Sequence, residues 1–147
     1  MDKLIELANR LKNIRLNDIF DDSIMETKES LLGEVKSQLL FGEASDGSAL
    51  GYYKSPEYAE FKSRYVASYH APFGVYNFDL YGDFQNAMYV RPLLTEIEIG
   101  SKDWKEGKLE KLAGGANNVW GLNSDSEYPQ NTFKPVFIRR LRTALNI

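Results

Sequence analysis

Two aspartates bracket a glycine in FDLYGDFQNAMYV, residues 78–90. Asp79 and Asp83 are residues of the type that acid–base hydrolysis or a hard-cation site uses. A calcium loop needs further oxygen ligands at fixed spacing, and these are missing. A hydrolytic pair needs a set separation across a cleft. The same stretch also suits a turn, because Gly82 can take a positive φ and Asp83 can bond nearby backbone. A turn is the expected reading. An enzyme using Asp79, Asp83 and Glu57 is the competing one.

Other chemistry is sparse. The chain has 147 residues, one histidine (His70) and no cysteine. Thiolate catalysis, disulfides and Cys-based zinc sites are therefore excluded. No nucleophile-elbow pattern surrounds any serine. GEASDGSALG lacks the Lys-Ser/Thr ending of a phosphate-binding loop. No catalytic residue, metal ligand or cofactor is assigned.

Charge is segregated. Between Asp18 and Glu34 stand six acids and one lysine, whereas Lys134, Arg139, Arg140 and Arg142 stand in the last 16 residues with no acid. The arginines suit three roles: a solvated helix face, contact with nucleic-acid phosphates, or pairing with an acidic surface such as 18–34 of a neighbouring subunit. The net charge of −3 argues against a general nucleic-acid binder.

The elements that must position these residues follow from apolar spacing. Leu4, Ile5, Leu7, Ala8, Leu11, Ile14 and Leu16 predict a helix over 2–16. A second helix is expected to start at Asp22 or Ser23 and run through Leu40. Residues 41–54 read as a Gly-rich loop. Ser55 as cap, with Pro56 and Glu57 in the first turn, opens a third helix carrying the stripe Tyr58, Phe61 and Tyr65. Strands are expected near 84–90 and 94–100, with Pro92 between them. A short helix follows, stopped by Gly114 and Gly115. A loop around a buried Trp120–Leu122 pair leads to a last helix. The expected fold is α+β: helices flank a small, mainly antiparallel sheet in a single domain, 1–147. That domain divides into N-terminal helices (1–40), a loop (41–54), a helix with β-meander and loop (55–131) and a C-terminal helix (132–147).

No stretch approaches the ~20 apolar residues a membrane helix needs, and the charged N-terminus lacks the apolar run of a secretory signal. An intracellular protein without a membrane span is expected.

Several segments together resemble a known family. Gln38, Leu39, Gly42, Asp46, Gly47, Gly51, Tyr53, Ser55, Tyr58, Ala59 and Lys62 fit one pattern. Asp79, Leu80, Gly82, Phe84, Met88 and Val90 fit a second. NNVWGLN and the terminal helix complete it. The order resembles the tail-completion or virion-morphogenesis proteins of tailed phages and prophages, especially those in Bacteroidetes genomes. Tyr81 departs from the family-like threonine, so a hydroxyl-bonded Thr-Gly turn is not carried over.

The resemblance implies a non-catalytic structural protein of the virion, located at the neck or upper tail and in the host cytoplasm during assembly. It implies a homo-oligomeric ring that meets portal (connector) or tail-tube proteins, with packaged DNA as a further contact. DLYGDF would be the tight turn leading into a β-meander. The loops at 42–54 and 113–131 would be docking arms, with Asp46, Tyr52, Tyr53, Asn117, Asn118, Trp120, Arg139, Arg140 and Arg142 as candidate partner-binding residues. A nucleic-acid module using the basic last helix is the alternative.

Overall fold

The computed structural model describes residues 2–79, 81–94 and 96–147. Leu80, part of the second pattern, lies outside them. The fold class is α+β as expected, and among the described residues it contains one two-stranded antiparallel sheet. Contacts group into two compact units. The first holds the chain up to Ser30, Arg91–Glu98 and Glu127–Ile147, and the second holds Leu31–Val90 and Ile99–Ser126.

In the first unit, α1 (Asp2–Asn13) lies against α7 (Lys134–Leu145). Arg10 Nη1 donates to the Leu145 carbonyl at 2.7 Å, satisfying an acceptor at the helix end. The other helix of this unit is the start of α2 (Leu16–Leu40), which begins six residues before the expected cap. Ser23 does not cap. Its hydroxyl donates to the Ile19 carbonyl at 2.6 Å inside the helix. The extra turns are held by packing, since the Phe20 ring meets Phe133 edge-on at 5.3 Å.

A π-helical turn, Tyr128–Phe133, precedes α7 where loop and then helix were expected. Within it, the Tyr128 hydroxyl lies 2.7 Å from Thr27 Oγ1, both buried.

The second unit is built on the apolar face of the remainder of α2, where Leu31, Val35 and Leu39 are buried at a spacing of four. Residues 41–54 fold on themselves. Ala44 N–H donates to the Ser48 carbonyl at 2.7 Å, Leu50 N–H donates to the Gly42 carbonyl at 2.8 Å, and the Leu50 side chain is buried. Next, α3 (Pro56–Tyr65) starts as predicted, with Ser55 Oγ accepting from Tyr58 N–H at 3.2 Å. It stops at Tyr65 because Val66 is extended.

Residues 83–86 form a short helix, α4 (Asp83–Asn86), rather than the start of a strand. Gly82 (φ +82°) turns the chain into it. The strands are β1 (Met88–Pro92) and β2 (Ile97–Ser101), so Pro92 ends β1 rather than separating the pair. Two further helices, α5 (Glu106–Leu112) and α6 (Ala116–Val119), complete the unit, and α6 replaces expected loop. Trp120 and Leu122 are half-buried. The fully buried residue of that segment is Val119.

Candidate functional site

The second unit carries a cleft of about 540 Å³. It begins with α3. One side of this helix is buried through Ala59 and Lys62, and the stripe Tyr58, Phe61 and Tyr65 stays outside. A lysine is therefore driven inward beside an aromatic row. Tyr53 and Tyr76 add rings, with Tyr53 lying edge-on to Tyr58 at 5.0 Å and to Tyr76 at 4.8 Å.

The 78–90 stretch forms the facing wall. Phe78 has a positive φ of 51°, a strained conformation for a bulky aromatic residue. This turn places the Phe78 ring 6.3 Å from Tyr76 and 5.8 Å from Phe84, and brings Asp79 into the cleft. Asp79 Oδ1 accepts from the Gly82 amide at 2.6 Å. Asp79 and Asp83 both line the cleft. The local turn is made by Asp79, not by Asp83 as expected from sequence.

Lys62 is 1% exposed and Asp79 is 9% exposed. Burial pushes Lys62 below the ordinary lysine value, and the Asp79 charge opposes that shift. Lys62 Nζ makes no hydrogen bond or ion pair with any described residue, and the nearest ring, Tyr69, is centred 5.8 Å away. Burial also holds the Tyr53 hydroxyl protonated far into the alkaline range.

The rim is different in character. Tyr81 is 82% exposed and Trp104 is 83% exposed, and both line the opening. Lys54, Lys105 and Lys108 line it too. Lys105 pairs with Asp103 at 3.6 Å, so Lys54, Lys62 and Lys108 face Asp79 and Asp83, and the aromatic cleft keeps a small positive balance. Such a cavity binds apolar groups and orients them through a few polar contacts.

The remaining predicted residues sort as follows. Asp46 Oδ1 accepts from the Ser48 amide (2.9 Å) and hydroxyl (2.6 Å), which lowers its pKa and closes a local turn. Asn117 and Asn118 hold the 41–54 segment, because their carbonyls accept from Ser45 Oγ at 2.5 Å and Ser45 N–H at 2.9 Å. The two expected docking arms are thus tied to each other within the unit. Trp120 stacks on Phe84 at 5.7 Å and donates to Glu110 at 2.5 Å. Tyr52 is exposed, and Tyr53 is the one member of the predicted set that lines the cleft. His70 lies beside Phe41, with ring centroids 5.7 Å apart, and does not line the cleft.

In the first unit, the basic helix has found its acids within the same chain. Arg139 and Arg140 both bond Glu26, and Arg140 lies 3.6 Å from Asp22. Of the acids in 18–34 considered for a neighbouring subunit, Asp22 and Glu26 thus serve these arginines within the chain. Arg142 is exposed and lines a concavity with Lys134 and Ile138.

Tyr76, Tyr81, Trp104, Lys105 and Lys108 were missed as site residues. Only Lys62, already part of the family-like pattern, carried a signal: a lysine four residues after Tyr58 on the face that α3 buries. Compared with known family models, curated proteins and solved structures, the chain finds no match.

Proposed function

We propose that this chain is a non-catalytic structural subunit of a tailed-phage virion. It forms an oligomeric ring at the neck or upper tail and joins portal-side to tail components. The observation that carries the reading is the uncovered apolar face of α1. No residue of α1 is buried, and Leu4, Ile5 and Leu11 are 69%, 57% and 51% exposed. An amphipathic helix with such a face gains stability by covering it, and contiguous exposed apolar surface marks interaction sites. The resemblance in residues 37–122 supports the same reading and supplies the kind of assembly.

Nucleic-acid contact through the last helix is the weaker alternative. Two of its arginines pair with Glu26 and Asp22, which leaves Lys134 and Arg142 as its cations outside an ion pair among the described residues.

Light scattering across a concentration series tests the proposal. A closed oligomer of defined mass is expected, since head-to-tail contacts that close make rings. A chain that is monomeric throughout, and absent by mass spectrometry from purified particles of the phage encoding it, overturns it.

A further inference from the structure

We propose that the aromatic cleft of the second unit is a docking groove for an extended segment of a partner protein. That segment presents a large apolar side chain with an acidic residue beside it. The inference rests on the reading of the chain as an assembly subunit and names what one of its contacts recognises.

The floor sets the first requirement. Lys62 is almost wholly buried, lines the cleft and has no hydrogen-bonding partner among the described residues. Asp79 lines the same cleft with one oxygen used by Gly82. The Lys62 ammonium has only solvent of the cleft to bond, and a ligand group that supplies an acceptor there is bound preferentially. A donor and an acceptor in one cleft suit an extended residue, whose C=O and N–H point to the same side, the carbonyl accepting from Lys62 and the N–H donating to Asp79.

The walls set the second. Tyr53, Tyr58, Tyr76, Phe78, Phe84 and Leu109 surround a volume that holds one or two large apolar side chains. The exposed Tyr81 and Trp104 at the rim are the residue types that dominate interface energetics.

The charge balance sets the third. Lys54 and Lys108 stand at the opening beside Lys105, which Asp103 already pairs at 3.6 Å, so an acid flanking the apolar side chain has two cations to face. A nucleotide fits less well, because a polyphosphate brings several negative charges toward Asp79 and Asp83.

The test is selection of a displayed random peptide library on the full-length chain, with Lys62→Met and Trp104→Ala as parallel targets. Circular dichroism checks that each variant is folded. Trp104 is exposed, so its variant keeps the fold even if Lys62→Met does not. Enriched peptides are expected to share an aromatic or large aliphatic residue beside an acid. Their affinity should fall about tenfold in Lys62→Met, the loss of a charge-assisted hydrogen bond, and at least as far in Trp104→Ala.

Failure to enrich any motif overturns the proposal. So does a motif that binds Trp104→Ala equally well. Quenching of Trp104 by oligothymidylate at concentrations where the selected peptides are inert assigns the cleft to nucleic acid and overturns it too. Peptide selection needs no ring. A chain that is monomeric and absent from particles yet enriches the motif fails the ring reading alone, and a ring-forming chain that enriches nothing fails this inference alone.

Discussion

Lys62 and Asp79 are buried in one cleft, and the Asp79 charge acts on Lys62, yet no ion pair within 4.0 Å joins them. Desolvation therefore dominates at Lys62 and lowers its pKa from the ordinary 10.5. Between the lowered value and 10.5, the unfolded chain binds more protons at this position than the folded chain. Stability at Lys62 thus rises with pH across that window. Tyr53 and Tyr69, whose pKa values burial raises, act the other way, so the useful quantity is wild type minus variant at each pH. Lys62→Met is expected to lose the alkaline gain. Urea midpoints at several alkaline pH values check this, and an unchanged difference between the two proteins counts against it.

Tyr128 and Thr27 are joined by a buried 2.7 Å hydrogen bond across 101 residues of chain. Tyr128→Phe should cost about 1 kcal/mol. The loss is limited because Thr27 Oγ1 still donates to the Ser23 carbonyl at 2.7 Å. Chemical denaturation measures it. A loss near zero would mean that water replaces the phenol.

Two glycines should respond oppositely to alanine. Gly42 has φ +76°, and an added Cβ would come within 2.6 Å of Val75 Cγ1 and 2.9 Å of the Tyr76 carbonyl oxygen. Gly42→Ala is expected to destabilise by on the order of 3 kcal/mol, from backbone strain and overpacking together. Gly33 lies inside α2 with nothing within 4 Å of such a Cβ. Gly33→Ala should stabilise by about 0.5–1 kcal/mol through helix propensity. Thermal melts of the two variants should move in opposite directions.

Glu26 receives hydrogen bonds from Arg139 and Arg140, and the Arg139 bond is the main cause of its lowered pKa. A lowered carboxylate contributes stability above its unfolded pKa and loses it as pH falls through the folded one. Glu26→Gln should therefore flatten the acid limb of the stability profile. It should also release Arg139, while Arg140 keeps Asp22, lengthening retention on heparin at low salt. Retention equal to wild type would show that these arginines find other acids.

Much of the local architecture was legible before any coordinates. Ser55, Pro56 and Glu57 announced the start of α3. These signals lie within about one helical turn, where a residue's own conformational preference and its immediate neighbours decide the outcome. The α+β class followed from the change of period after residue 83, although its first residues proved helical.

The tertiary structure decided the rest. The sequence left three roles open for Arg139 and Arg140, one of them pairing with residues 18–34 of a neighbouring subunit. Folding put Glu26 and Asp22 within reach of the same chain, 113 residues from Arg139 in the case of Glu26. Ser23 resembled a cap until the packing of Phe20 against Phe133 carried the helix past it. The two aspartates of FDLYGDF look the same in one dimension as a turn or as a site. Only the burial of Lys62 and the ring walls from Tyr53, Tyr76 and Phe84 make their surroundings a cleft. Desolvation and ring packing depend on atoms brought together from distant parts of the chain, and no local preference encodes them.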